Sequence, residues 1–102
     1  MRARYAAYAL GNVRFIRQTQ RPEHGRTAQD AISQRRAIQA FCQSTQFLGL
    51  KILADTAPDN NQATVTFHAT LRQGGQDASF TEQSLFERHQ GRWFYVRALA
   101  QE

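Results

Sequence analysis

Three polar side chains stand at positions of the C-terminal strands whose neighbours on the same face are apolar. Glu82 and Ser84 are two residues apart in one predicted strand, and Arg97 has the matching parity in the next. Because side chains alternate between the two faces of a strand, two-residue turns place Ser84 opposite Arg97, with Glu82 on the diagonal. A charge removed from water costs several kcal/mol unless it is paired or reaches solvent. We therefore expect Glu82 and Arg97 to contact each other.

This cluster has two interpretations, and the residues leave both open. In the first, it forms the polar floor of a cavity beneath the helices, where a small-molecule ligand would bind. In the second, Glu82 and Arg97 form a structural ion pair that orients the sheet against the helices. A carboxylate paired with a guanidinium stays ionised and is a poor general base near neutral pH, so we expect no catalytic residue here. Aromatic side chains supply the walls and hydroxyls of the predicted cavity: Phe80, Phe86, Trp93, Tyr95, Tyr5 and Tyr8.

Helices are predicted for the first half of the chain. Residues 1–10 place Met1, Tyr5 and Tyr8 on one helical face, and Asn12 is an N-cap for a second short helix over 13–17. A third helix is predicted from Thr27, which stands three residues before an acidic side chain in an N-capping pattern, to about residue 44.

Four strands are predicted for the second half: Leu48–Thr56, Ala63–Arg72, Ala78–His89 and Arg92–Leu99. Turns at 58–61, at Gly74-Gly75 and at Gln90-Gly91 separate them, so the last three form an antiparallel meander. Helices followed by an antiparallel sheet predict an α+β fold in which the helices cover one sheet face. The length of 102 residues predicts one domain over 1–102.

The opposite face of the predicted sheet carries an apolar patch of Leu85, Phe94 and Val96 on an otherwise polar surface. Patches of this kind often mark protein contacts. We therefore expect a non-catalytic interaction module and a homodimer through this outer face.

Composition excludes several classes of protein. No run of about 18 apolar residues is present, so we expect no membrane span, and the first residues lack the apolar core of a secretory signal, which predicts a cytoplasmic protein. One cysteine, Cys42, allows no internal disulfide and no multi-cysteine metal site. We expect neither a bound metal nor a cofactor.

The charge is concentrated in the predicted helices. Residues 1–45 contain eight arginines and two acidic residues, whereas residues 46–102 contain five basic and six acidic ones. A basic half suggests nucleic-acid association, but arginine is also the solvent-facing residue of amphipathic helices. Since no aromatic–basic pattern of an RNA-binding module is present, nucleic-acid association through the arginine-rich helices is the less favoured alternative.

Several short motifs together resemble the middle domain of the YchJ-like, SEC-C-motif-associated proteins. They occur in the family's order and cover almost the whole chain: residues 1–8 (MRARYAAY), Thr19 with Pro22, residues 47–50 (FLGL), residues 82–86 (EQSLF) and residues 91–96 (GRWFYV). The resemblance implies a cystatin-like, nuclear transport factor 2-like α+β cone, in which a curved sheet wraps a long helix and often forms a pocket. The family has no settled activity. Related superfamily members with an acid and a tyrosine in the pocket imply an enzymatic alternative in which Glu82 and Tyr95 fill those roles.

The chain departs from this family at three places. It lacks the cysteine-rich SEC-C segments, so zinc binding does not carry over, and Gln20-Arg21 replaces the family's Trp-His. Arg97 stands where an acidic residue is usual, which suggests a local rearrangement around Glu82. Met1 matches an internal methionine of the family, as expected for a fragment or for a reading frame whose true start lies upstream.

Overall fold

The computed structural model describes residues 1–21, 28–56 and 61–102, and the predicted α+β class is confirmed. The predicted N-cap at Thr27 and the turn at 58–60 lie outside the described residues. A two-residue strand, β3, adds to the four that were predicted. The elements in chain order are α1 Arg2–Leu10, α2 Val13–Gln18, α3 Ala28–Ser44, β1 Thr45–Asp55, β2 Gln62–Gln73, β3 Gln76–Asp77, β4 Phe80–His89 and β5 Arg92–Gln101.

Two residues join the first two helices: Gly11 ends α1 and Asn12 begins α2. Gly11 has φ 72° and ψ 27°, a left-handed conformation that glycine adopts without steric cost and that commonly ends helices. The side chain of Asn12 accepts a hydrogen bond from the backbone N–H of Phe15 at 3.2 Å, so the predicted N-cap is confirmed. α2 therefore starts immediately after α1 and contacts it.

The strands form one antiparallel sheet in the order β1-β2-β4-β5, with β3 paired to β2. Phe67 lies opposite Glu82, as the turn length predicted. The alternation predicted for β2 and β4 is confirmed, because the buried residues of both strands alternate with more exposed ones along the chain. These buried residues are Phe67, Ala69, Leu71, Glu82, Ser84 and Phe86.

The predicted register holds from Arg92 to Tyr95 of β5 and is wrong beyond Tyr95. The pairing of β4 with β5 shifts between Leu85 and Phe86 and again just before Ser84, so that Leu85 pairs with Arg97 and Ser84 pairs with Ala98. Each shift inserts one extra residue, and one extra residue reverses which face the following side chains occupy. Arg97 is exposed, and it is neither opposite Ser84 nor part of the inner face.

The core lies between the inner sheet face and the helices. Phe67, Ala69 and Leu71 form its buried centre, and partly buried side chains from α1, α3 and β1 pack against them. α1 contributes Arg4 and Ala7 as buried residues, whereas no residue of α3 is fully buried. α3 therefore borders the core at its margin. Within the described ranges, no helix is long and apolar enough to cross a membrane.

Candidate functional site

A cavity of about 350 Å³ lies between α1, α3 and the inner face of the sheet. Small-molecule sites are typically apolar concavities of about 300–1,000 Å³ with a few polar groups. Seven of the fourteen lining residues are aromatic, and only two carry a formal charge on the side chain. The lining consists of Met1, Arg4, Tyr5, Tyr8, Ala37, Ile38, Phe41, Phe47, Phe67, Ala69, Leu71, Phe80, Glu82 and Tyr95.

Glu82 supplies the carboxylate of this cavity and is 8% exposed. It accepts hydrogen bonds from Ser84 Oγ at 2.5 Å, from the Tyr95 hydroxyl at 3.3 Å and from Gln101 Nε2 at 3.5 Å. Gln101 lies opposite Glu82 because of the two register shifts in β5. Neutral donors on β4 and β5 thus hold the carboxylate, and none of them neutralises its charge.

Arg4 of α1 supplies the buried cation that we had predicted from Arg97. It is 6% exposed, and its Nη1 donates to the carbonyl oxygen of Ile16 at 3.0 Å and to Thr19 Oγ1 at 2.6 Å. Its guanidinium carbon lies 4.8 Å from the centre of the Tyr95 ring, within cation–π range. Burial lowers the pKa of Arg4, and the nearby Glu82 carboxylate opposes that shift. The predicted Glu82–Arg97 pair is therefore wrong, and Tyr95 instead contacts Arg4 through its ring and Glu82 through its hydroxyl.

Sequence reasoning missed Arg4, although a signal was present. Arg4 stands three residues after Met1 and four before Tyr8, and these spacings place all three on neighbouring positions of one helical face. Its guanidinium also lies 5.9 Å from the centre of the Tyr8 ring. A buried carboxylate on the facing sheet is stabilised by a nearby cation, and Arg4 is the cation on this helical face.

The three tyrosines of the cavity differ in their surroundings. Burial, followed by the charge of Glu82, raises the pKa of Tyr95 to about 12. Burial also raises the pKa of Tyr8, against the opposing effect of Arg4. The hydroxyl of Tyr5 is buried and has no hydrogen-bond partner in the described chain. Most buried polar atoms are paired, so the Tyr5 hydroxyl is an exception among the described residues.

The predicted pocket residues divide into two groups. Five of them line the cavity: Tyr5, Tyr8, Phe80, Glu82 and Tyr95. The other four do not.

Each of those four has a physical reason for lying outside the lining. Ser84 is fully buried, and its hydroxyl is directed to Glu82. Phe86 packs edge-on against Tyr95, with ring centres 5.8 Å apart. Trp93, near the start of β5, is 36% exposed, and the guanidinium carbon of Arg88 lies 5.6 Å from the centre of its ring. Arg97 lies outside the lining because the register shift in β5 turns it away from the inner face.

A basic groove lies between α2 and α3, apart from the cavity. Arg14, Arg17 and Arg35 line it, and no carboxylate pairs with them in the part of the chain that the structure describes. An exposed ion pair joins Arg21 to Glu87 at 2.9 Å. The described residues contain no group of three or more histidine, cysteine, aspartate or glutamate side chains placed to hold a metal ion.

Comparison with known proteins identifies the family. A family model described as the middle, NTF2-like domain of YchJ matches residues 1–98. The chain belongs to this YchJ-like family. A UPF0225 protein of Bordetella pertussis is 32% identical over 96 residues, which span 94% of this chain and 65% of the relative. A UPF0225 protein of Haemophilus influenzae is 31% identical over 96 residues, spanning 94% of this chain and 56% of the relative.

Two solved structures of SEC-C motif-containing proteins share the YchJ-like fold. The solution structure from Rhodopseudomonas palustris has a TM-score of 0.82 and 33% identity, covering 98% of this chain and 74% of that one. The crystal structure from Psychrobacter arcticus has a TM-score of 0.75 and 25% identity, covering 95% of this chain and 56% of that one. The NTF2-like α+β fold implied by the sequence motifs is thereby confirmed. The chain spans less than two thirds of the length of these two UPF0225 proteins.

Proposed function

We propose that this YchJ-like domain is a non-catalytic module that binds a small, largely apolar molecule in the cavity between its helices and its sheet. The observation that carries the proposal is a mostly apolar cavity of about 350 Å³ with Arg4 and Glu82 in its wall. Convergent polar groups in an aromatic cavity are typical of ligand sites.

The surroundings of Glu82 and Tyr95 favour binding over catalysis. A general acid or base works best when its pKa is near the operating pH, and the pKa of Tyr95 is about 12. Tyr95 is therefore protonated near neutral pH and donates its proton to Glu82 in a hydrogen bond. Glu82 also accepts from Ser84 and Gln101. These contacts hold the carboxylate in place. The enzymatic alternative, with Glu82 and Tyr95 as reacting groups, receives less support.

A substitution at the mouth of the cavity tests ligand binding. Ala37 of α3 is exposed and lines the cavity, so Ala37→Trp should fill its opening without disturbing the core. We expect the wild-type domain to bind the neutral dye N-phenyl-1-naphthylamine with increased fluorescence, and Ala37→Trp to weaken its binding about tenfold or more because the added ring excludes the dye from the available volume.

The matched control is Ala40→Trp on the same helix. Ala40 is exposed and does not line the cavity, so this variant should bind the dye as the wild type does. Both variants should unfold within about 0.5 kcal/mol of the wild type, as is usual for surface substitutions. Equal dye binding by Ala37→Trp and Ala40→Trp, or no binding by the wild type, would contradict the proposal.

The outer sheet face supports a second proposal, a homodimer. Leu85 and Phe94 are half-buried and alternate with inward-facing neighbours, and Val96 follows in the bulged part of β5. We expect light scattering to give a mass near twice 11.7 kDa, and Leu85→Lys to return the domain to one chain's mass. Ile32→Lys, on the helical side, should leave the dimer intact. A wild-type domain that stays monomeric at high concentration would rule this out.

A further inference from the structure

We infer that the cavity selects uncharged aromatic ligands, and that it discriminates against the same ring system when it carries a net charge of either sign. This inference rests on the proposed ligand-binding function and names the class of molecule bound. Its basis is the arrangement of one cation and one anion around Tyr95 in an otherwise apolar cavity.

The two charged side chains of the cavity wall offset each other. Arg4 and Glu82 are the lining residues with charged side chains, and both are more than nine-tenths buried. Arg4 lies over the ring of Tyr95, and Glu82 accepts the hydrogen bond of its hydroxyl, so the two charges flank one side chain. A ligand near Tyr95 therefore meets a positive and a negative group together.

This offset disfavours charged ligands on physical grounds. An ion entering the cavity loses its hydration, which is costly in an apolar environment unless an opposite charge compensates. A carboxylate attracted by Arg4 is repelled by Glu82, and an ammonium attracted by Glu82 is repelled by Arg4. Because charges interact more strongly away from water, neither ion recovers its desolvation cost. A neutral ligand has a much smaller hydration cost to recover.

The aromatic lining of the cavity defines the shape of the ligand. Seven aromatic side chains in the lining offer ring faces and edges that favour a flat aromatic body.

The test compares three ligands with one ring system and different charges at pH 7. Isothermal titration calorimetry on the wild-type domain would use 2-naphthol, which is neutral, 2-naphthoate, and 2-naphthylmethylammonium. We expect 2-naphthol to bind at least about tenfold more tightly than either ion. If an ion binds as tightly as 2-naphthol, the inference is overturned while ligand binding itself stands. If none of the three binds and the neutral dye also fails to bind, the proposed function fails.

A charge-removing variant gives a sharper outcome. Glu82→Gln keeps the shape of the side chain and leaves Arg4 unbalanced, so 2-naphthoate should gain about tenfold relative to 2-naphthol and the ammonium should weaken further. The control is Glu87→Gln on the same strand, whose carboxylate pairs with Arg21 at the surface and should not alter the order of affinities. An unchanged order in folded Glu82→Gln would contradict the inference, and if that variant does not fold, the wild-type comparison decides.

Discussion

Replacing Arg4 with alanine is expected to lower the free energy of unfolding by about 3–5 kcal/mol, the usual loss when one member of a buried charged cluster is removed. Arg4 is 6% exposed, donates to Ile16 and Thr19, and lies over Tyr95. Alanine would leave Glu82 without a compensating charge and would remove the link between α1 and the end of α2. Chemical denaturation at pH 7 measures the loss.

Arg97→Ala is the matched control for Arg4→Ala. Arg97 is exposed, so its removal should change stability by less than about 1 kcal/mol. The double variant Arg4→Ala/Glu82→Gln should lose less than the sum of its single variants, because the uncompensated carboxylate is then absent. Similar losses for Arg4→Ala and Arg97→Ala, or strictly additive losses in the double variant, would show that Arg4 does not balance Glu82.

Phe67→Ala is expected to destabilise the domain by about 3–5 kcal/mol, as is typical when a buried phenylalanine is truncated in a core. Phe67 is 5% exposed at the centre of the core and packs edge-on against Phe80, with ring centres 5.9 Å apart. Its removal opens a void beside the existing cavity and takes contacts from Ala69 and Leu71. Thermal and chemical unfolding would report the loss.

The control for Phe67 is a phenylalanine on the opposite face of the same sheet. Phe94 is half-buried, and Phe94→Ala should cost less than about 2 kcal/mol when measured at low protein concentration, where association through the outer face does not contribute. Equal losses at the two positions would mean that the two faces are buried alike, which would contradict the layered arrangement of helices on one face.

The local patterns of the sequence predicted the helices, the strands and most of the inner face. The alternation of Ala63–Arg72 has one consistent solution, in which Phe67, Ala69 and Leu71 face inward, and the glycine turn then fixes Glu82 opposite Phe67. Asn12 correctly predicted the start of α2, because a capping side chain accepts a hydrogen bond from a backbone N–H only three residues further along the chain. Interactions of this range can be inferred from the order of residues alone.

Local patterns did not place either of the two arginines, Arg97 and Arg4. The first bulge of β5 directly follows Tyr95, whose backbone N–H and carbonyl also bond to Thr19 and Arg21 at 2.8 Å. An extra residue in a strand leaves no mark in the alternation of side chains, so Arg97 was assigned to the wrong face. Arg4 is 78 residues from Glu82 along the chain, and no spacing rule connects a helix face to a strand at that distance.

The sequence by itself therefore determined the α+β class, the family and the presence of a carboxylate on the inner face of the sheet, because these follow from periodicity, turns and short motifs. Only the tertiary structure decided which cation balances Glu82, which aromatic residues line the cavity, and that Gln101 reaches the carboxylate. These outcomes depend on backbone bulges and on the docking of α1 against the sheet. Both arise from the packing of segments distant in the chain, which no local pattern records.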